Sequence, residues 1–290
     1  NMGYGRFSAK ITMQGAPHFD LPDQYDPARL RLTDIDGSGP TDILYLGRNE
    51  IRYWLNQSGN SWSAEKTIHN FPRTTTLHTV SVFDLLGNGT ACIVWASPLP
   101  AEANTPMKYI QLMGNSQVEG NKPYLLKEVD NNMGAVTRLK YEASTKFYLE
   151  DKKQNRPWIT KLPFPVQVLV RQEVYDEIAG NHFVSSYAYH HGYFDRTERE
   201  FRGFGMVEQW DTEDYATLSE NSLFEAKGQN WSEQTDMPPV YTKTWFHTGY
   251  WREGGKITRQ YEREYYSGDP AAWALPDTVF PAGLSAGEQR

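Results

Sequence analysis

A repeat of about 50 residues constrains the fold of this chain more than any other feature of its sequence. Residues 30–47, LRLTDIDGSGPTDILYLG, match residues 80–97, VSVFDLLGNGTACIVWAS. Each copy has an apolar run, an aspartate (Asp34 or Asp84), a Gly-x-Gly turn and a second apolar run. A period near 50 is typical of the four-stranded blades of β-propellers, so the repeat predicts about two blades.

Further strands are predicted on both sides of residue 100. IRYWLN at residues 51–56 predicts a third strand of the first blade, and SWSAEKTI at residues 61–68 predicts a fourth. Beyond residue 122 the repeat stops, and apolar and polar residues alternate as in an antiparallel meander with one solvent-facing side. The predicted strands there are AVTRLKYEAST, FPVQVLVRQEVYDE, HFVSSYAYHHGYFD, GFGMVEQWDT, VYTKTWFHTGYW and, as a candidate, KITRQYEREYY.

These patterns predict an all-β chain of three parts. Residues 1–100 are expected to form an incomplete β-propeller, and residues 101–121 a linker that contains one short strand, KYIQLM. Residues 122–290 are expected to form an antiparallel sheet with long loops. An aromatic content of 14%, with 17 prolines and 23 glycines, also favours short strands joined by turns over long helices.

Both ends of the sequence predict that the chain is part of a longer polypeptide. The first residues lie within a repeat, and residues 285–288 have the capping-box pattern that opens a helix, although the sequence stops at Arg290. An incomplete ring and an incomplete sheet leave backbone groups unpaired at their edges. We therefore expect contacts with further strands near Asn1 and after Tyr241.

Several classes of function are excluded or disfavoured by the sequence. No run of about 18 apolar residues occurs, so no membrane insertion is predicted, and a net charge of -7 without a basic stripe argues against nucleic acid. The only cysteine, Cys92, excludes internal disulfides and lies in an apolar run, which predicts a buried, inert thiol. The seven histidines have no metal-binding spacing, and no P-loop or G-x-S-x-G motif occurs, so no catalytic residue and no enzymatic activity are predicted.

One loop of the first repeat has the composition of a calcium site. Its oxygen-bearing residues Asp34, Asp36, Ser38 and Asp42 occupy positions 1, 3, 5 and 9, with glycine at position 6. The alternative is that the aspartates only accept hydrogen bonds from the amides of their own loop, as in Asx-turns. The second copy has apolar residues at positions 3 and 9 but keeps its glycines, which favours a structural role for both loops. Calcium is the one cofactor that the sequence suggests.

A charged and aromatic stretch, GYFDRTEREFRGFG at residues 192–205, is the most distinctive motif of the second half. We interpret it as a surface hairpin with cross-strand ion pairs, and the glycines beside Phe204 indicate a bulge or a close backbone approach. Its candidate structural residues are Tyr193, Asp195, Arg199, Glu200, Phe201, Arg202, Gly203 and Phe204.

These segments together resemble the B component of insecticidal toxin complexes (Tc toxins) and the related SpvB-type proteins. The resemblance covers nearly the whole chain and is most specific at YHHGYFDRTEREFRGFG, whereas the first two segments resemble FG-GAP/VCBS propeller repeats. It implies a secreted virulence factor whose propeller docks to and gates the translocation channel, the A component. It also implies that Rhs-like strands form a shell with the C component and encapsulate a toxic C-terminal enzyme.

Two alternatives to this scaffold function remain open from the sequence. Propellers of this repeat type can be carbohydrate-binding lectins, for which Trp54 and Trp62 are candidate aromatic contacts, although their strand context indicates core positions. A toxic enzyme such as an ADP-ribosyltransferase, of the kind that follows SpvB-type domains, would lie beyond Arg290.

Overall fold

The computed structural model describes residues 2–113, 122–211, 222–225, 228–230, 238–250, 254–265 and 283. The chain divides into two compact units, residues 1–125 and 126–290. The helix start predicted at residues 285–288 lies outside the described residues. No helix of the described part of the chain is both long and apolar enough to cross a membrane.

The first unit contains three small antiparallel sheets. Their strands are β1 (Leu30–Thr33), β2 (Asp42–Leu46), β3 (Ile51–Trp54), β4 (Asn56–Gln57), β5 (Ser61–Trp62), β6 (Lys66–Ile68), β7 (Thr79–Phe83), β8 (Cys92–Ala96) and β9 (Met107–Gln111). One sheet has the order β1-β2-β3-β6, a hairpin is formed by β4 and β5, and the third sheet has the order β7-β8-β9.

The two copies of the sequence repeat form equivalent hairpins, β1–β2 and β7–β8. The returning strands β2 and β8 are almost fully buried, which explains why their sequences are continuously apolar rather than alternating. A core cluster connects residues of both repeats, and burying such apolar surface is the main favourable contribution to folding. Its fully packed members are Ile35, Leu44, Leu46, Ile51, Phe71, Val80, Ile93 and Trp95.

The remaining strands of the first unit partly match the sequence prediction. IRYWLN forms β3, and KYIQLM contributes β9, which pairs with β8 and so belongs to the sheet of the second repeat. SWSAEKTI forms two short strands, β5 and β6, and only β6 pairs with β3. The first of these strands pairs instead with β4 in a separate hairpin.

The second unit is built on one six-stranded antiparallel sheet. Its strands, in the order of the sheet, are β10 (Glu128–Asp130), β11 (Ala135–Ala143), β12 (Gln167–Asp176), β13 (Asn181–Asp195), β14 (Glu200–Asp211) and β15 (Val240–Trp245). In the part of this unit that the structure describes, two helices accompany the sheet: α1 (Ser144–Lys153) and α2 (Gly254–Tyr265). Among the described residues, fifteen strands and two α-helices therefore confirm the all-β class.

The two helices correct the sequence prediction. KITRQYEREYY was a candidate strand, but it forms most of α2, because Ile257 and Tyr261 are four residues apart and are both buried on one helical face. The strand predicted over AVTRLKYEAST ends at Ala143, where α1 begins. Phe147 and Asp151 are the buried residues of α1 that follow the same four-residue spacing.

Candidate functional site

The acidic loop of the first repeat connects β1 to β2 and brings three carboxylates together. One carboxylate oxygen from each of Asp34, Asp36 and Asp42 lies within 4.8 Å of the others. Calcium binds oxygen ligands at about 2.3–2.6 Å, so oxygens on opposite sides of one ion are about 5 Å apart. The spacing of these carboxylates therefore fits a calcium ion, whose binding stays a prediction.

Backbone amides already satisfy part of this carboxylate cluster. Both oxygens of Asp34 accept amide hydrogen bonds, from Ser38 at 3.1 Å and from Gly39 at 2.9 Å. Asp36 accepts a second bond from the Ser38 amide at 2.9 Å. These are the Asx-type bonds of the alternative interpretation. They leave further lone pairs on each carboxylate, so they do not compete for every ligand position.

Asp42 is fully buried and joins the loop to its surroundings. Its oxygens accept the amides of Ile35 at 2.8 Å and Asn56 at 2.7 Å. Burial raises the pKa of Asp42, and the nearby charges of Asp36 and Asp34 add to the rise against the opposing hydrogen bonds. Mutual repulsion of carboxylates is the property that a bound cation would relieve.

Tyr124, far from the acidic loop in sequence, also contacts it. The hydroxyl of Tyr124 donates to Asp36 at 3.0 Å, 88 positions away in sequence. Burial opposes ionisation of Asp36, but the hydrogen bonds from Ser38 and Tyr124 outweigh it and lower the pKa of that carboxyl. The side chain of Lys122 lies beside Gly37, where an added Cβ would meet its Cε at 2.7 Å. No local pattern in the sequence indicated Tyr124 or Lys122.

The second repeat keeps the loop without the carboxylate cluster. Asp84 accepts the amides of Asn88 at 3.1 Å and Gly89 at 2.8 Å, in the same arrangement as Asp34. Leu86 and Cys92 replace the other two aspartates. The loop shape thus depends on one aspartate and its glycines. Cys92 is buried, and burial raises the pKa of its thiol, in agreement with the predicted inert cysteine.

The motif at residues 192–205 forms the turn and adjoining strand ends of the β13–β14 hairpin. Asp195 accepts the amide of Thr197 at 2.8 Å, and Arg199 follows in the left-handed region with a φ of 56°. The register of the β13–β14 pairing shifts by one residue between Tyr193 and Phe194. Tyr193 lies opposite Gly203, whose φ is 89°. The predicted bulge is present at this position.

The side chains of this motif divide between solvent and an aromatic cluster. Arg202 pairs with Glu200 at 3.3 Å on the same strand, and both side chains are exposed. Tyr193 is buried against Tyr250, with ring centroids 4.9 Å apart. The ring of Phe204 contacts a group of aromatic rings at centroid distances of 5.0–6.1 Å. These rings belong to Trp158, Tyr189 and Phe201.

Three buried histidines of the second unit pair with carboxylates, which the sequence did not predict. His182 contacts the fully buried Glu173 at 2.9 Å, and His191 contacts Glu264 at 3.0 Å. His190 lies between Asp151 and Glu208. The partners of His190 and His191 are 18 to 73 positions away, so no spacing in the sequence reveals them.

The Glu173 carboxylate holds a loop segment on the sheet. Besides His182 it accepts Arg171 Nε at 2.5 Å and the Leu223 amide at 3.0 Å. Burial opposes ionisation of Glu173, but the hydrogen bonds from His182, Arg171 and Leu223 outweigh it and lower its pKa to about 2. Phe224 then packs near Arg138, whose guanidinium carbon is 4.2 Å from the ring centroid.

The aromatic residues considered for carbohydrate binding do not form an exposed shelf. Trp54 is 3% exposed and packs edge-on against Phe19, with ring centroids 5.6 Å apart. Trp62 is half-buried in the β4–β5 hairpin. A sugar stacks on an open aromatic face, which the buried Trp54 does not offer.

Comparison with protein families identifies the family of this chain. Residues 56–249, more than half of the chain, match the family described as the insecticide toxin TcdB middle/N-terminal region. No curated protein matches the sequence.

Comparison with solved structures gives matches that extend over both units. A crystal structure of TcdB2-TccC3-Cdc42 is 32% identical, with a TM-score of 0.73 over 93% of this chain. A crystal structure of TcdB2-TccC3-TEV is 33% identical, with the same TM-score and coverage. A Tc holotoxin pore of Photorhabdus luminescens, mutated in TccC3, is 32% identical, with a TM-score of 0.68 over 85% of the chain. The chain spans only 10–12% of the length of the chains it matches.

Proposed function

The chain belongs to the family of the insecticide toxin TcdB middle/N-terminal region, and from this premise we propose that it is a non-enzymatic scaffold segment of a secreted toxin complex. The observation that carries the proposal is the similarity to chains of TcdB2-TccC3 complexes, at 32–33% identity over 93% of this chain. Identity of this size over both units supports a shared architectural role, in addition to a shared fold.

The two units are assigned different parts of that role. The first unit, with its two repeated hairpins, contributes blades to a β-propeller that docks to and gates the channel component. The second unit contributes its six-stranded sheet to a shell that, with the C component, encloses a toxic enzyme. Strand β15 supports the shell assignment, because it lies at the edge of the described sheet and five of its six residues are exposed. Edge strands present unpaired backbone groups to further strands.

Paired variants test the two assignments separately. Val240 on β15 and Leu32 on β1 are each 63% exposed, so a lysine at either position leaves the core of its own unit intact. In the toxin protein that contains this chain, Val240→Lys should weaken co-elution with the C component and leave binding to the channel component unchanged. Leu32→Lys should do the reverse, so each variant is the control for the other.

The outcomes distinguish the proposal from general unfolding. Circular dichroism spectra identical to the parent protein are required of both variants before binding is compared. Absence of any binding of the parent protein to either component would contradict the scaffold function. Turnover of a glycoside, ester or dinucleotide substrate that one carboxylate or histidine substitution abolishes would contradict its non-enzymatic character.

A further inference from the structure

His190 is buried in β13 with a carboxylate at each ring nitrogen. Nδ1 lies 2.5 Å from Asp151 on α1, and Nε2 lies 3.3 Å from Glu208 on β14. The residue is 7% exposed. Carboxylates accept hydrogen bonds and do not donate them when ionised, so both ring nitrogens must carry hydrogen. A neutral imidazole has only one N–H, and the geometry therefore requires the imidazolium form.

Each carboxylate also has partners of its own. Asp151 accepts Trp158 Nε1 at 2.8 Å and lies 3.7 Å from the guanidinium of Arg156. These two residues follow α1 in the chain. His190 therefore connects the strand β13 to α1 and to the segment after it.

The partners of Glu208 lie on the edge strand. Glu208 accepts the hydroxyl of Tyr241 and lies 3.6 Å from the ammonium of Lys243. Both residues belong to β15. The imidazolium of His190 thus joins two groups of side chains, one around α1 and the other around the β14–β15 edge.

We propose that His190 is a pH-sensitive joint, whose deprotonation under alkaline conditions separates the side chains of α1 from those of the β14–β15 edge. A neutral ring would keep its shorter hydrogen bond, from Nδ1 to Asp151. Its other nitrogen would then present a lone pair to Glu208, which repels the carboxylate. Glu208 would turn towards Tyr241 and Lys243, and the contact between the two groups would be lost.

The surrounding charges set the direction and the range of this change. Burial opposes the charged form of His190, but hydrogen bonds to Asp151 and Glu208 outweigh it and raise the pKa of the ring to about 9. The joint is therefore closed at neutral pH and opens as the pH rises through about 9. After opening, Arg156 and Lys243 still face one carboxylate each, so the two groups can separate without unfolding. The adjacent His191 pairs with Glu264 of α2 and belongs to neither group.

Nitrogen NMR of histidine rings in the complete chain tests the joint directly. The His190 ring, identified by sequential resonance assignment of the parent chain and by loss of its signal in His190→Gln, should remain an imidazolium well above pH 7. Glu208→Gln removes one of the two carboxylates and should lower the midpoint of this titration by about one pH unit or more. His69→Gln, at a side chain that is 74% exposed, is the matched control and should leave the signal unchanged.

Hydrogen exchange of the amides of α1 measures the consequence. A neutral ring also weakens the remaining bond to Asp151, because hydrogen bonds from a charged donor are stronger than those from a neutral one. Relative to unstructured peptides at the same pH, exchange in residues 144–153 should therefore accelerate between pH 8 and 10 in the parent chain. It should show no such step in His190→Gln. A neutral His190 ring at pH 7, or an unchanged titration midpoint in Glu208→Gln, would overturn the proposal. Because both readings use chains that retain His190, they hold even where His190→Gln fails to fold.

Discussion

At the scale of single residues, aspartate and glutamate have three different roles in this chain. Asp34 and Asp84 accept amides of their own loops and fix the turn in both repeats. Asp36 and Asp42 occur only in the first repeat, where their carboxylates add to a cluster. Glu173 is fully buried and organises charged partners. The first use is local and repeats with the sequence, and the other two depend on the fold.

Calcium binding to the acidic loop is predicted to depend on Asp36 and to be independent of Asp84. Isothermal titration of the chain with calcium should give heat that Asp36→Ala abolishes, because one of three clustered carboxylates is lost. Asp84→Ala is the matched control, since its loop has no comparable cluster. Equal heats from the parent chain and Asp36→Ala would show that the loop aspartates serve only the turn.

Glu173→Gln is predicted to destabilise the second unit strongly. The substitution keeps the shape of the side chain but removes the buried negative charge that contacts Arg171 and His182, which costs about 3–5 kcal/mol of unfolding free energy. The control is Glu200→Gln, which breaks an exposed pair with Arg202 and should cost about 0–1 kcal/mol. Urea denaturation followed by circular dichroism measures both. Similar losses in the two variants would rule out a special contribution from the buried network.

At the scale of elements, the packing of α2 against β14 explains why the motif at residues 192–205 ends in a glycine, Gly205. A Cβ on Gly205 would meet the Tyr261 hydroxyl at 1.7 Å and its ring carbon at 2.9 Å. Glu264 of the same helix accepts hydrogen bonds from Gln260 and Trp245 and contacts His191. The close approach predicted at this end of the motif is thus a contact between a strand and a helix.

Two substitutions at this contact should have opposite effects. Gly205→Ala should displace α2 and expose its amides, residues 254–265, to rapid hydrogen exchange. Tyr261→Phe should stabilise the unit by about 1–3 kcal/mol, because the buried hydroxyl has no hydrogen-bond partner among the described residues. Mass-spectrometric exchange and urea denaturation provide the two measurements. Protection of α2 that is unchanged in Gly205→Ala would contradict the described packing.

At the scale of the whole molecule, buried ion pairs are concentrated in the second unit and the apolar core cluster lies in the first. The first unit is held mainly by burial of apolar side chains between small sheets, which varies little with pH. The second unit also depends on carboxylates with lowered pKa and on a histidine with a raised pKa. Its stability should therefore depend on pH at both extremes.

The pH dependence follows from the direction of each shift. The pKa values of Glu173 and Glu208 are about 2, below their ordinary value of 4.5, so their contribution is present above pH 4.5 and is lost as the pH falls through 2. The pKa of His190 is about 9, so its contribution is present below pH 6.5 and is lost as the pH rises through 9.

Urea midpoints measured from pH 2 to 10 should therefore have a plateau between about pH 4.5 and 6.5. His190→Gln should remove most of the alkaline decline and retain the part of the acid decline that Glu173 causes. An alkaline decline of equal size in His190→Gln would assign the effect to another group.

The sequence by itself determined the repeated hairpins, the all-β class and the family. Alternation, aromatic strands and Gly-x-Gly turns are local properties, so β1–β2 and β7–β8 follow from neighbouring residues. Helix α2 was missed although Ile257, Tyr261 and Glu264 have helical spacing, because its aromatic and charged composition also suits a strand.

Only the tertiary structure decided which charged side chains are buried and which residues they contact. Tyr124 reaches Asp36 across 88 positions, and His191 reaches Glu264 across 73. His190 and Asp151 are 39 positions apart. Such pairs form because the register of the strands and the packing of the helices on the sheet bring side chains together that are distant in sequence. A buried charge is stable only with such a partner, so its position depends on the completed fold and cannot be read from the neighbouring sequence.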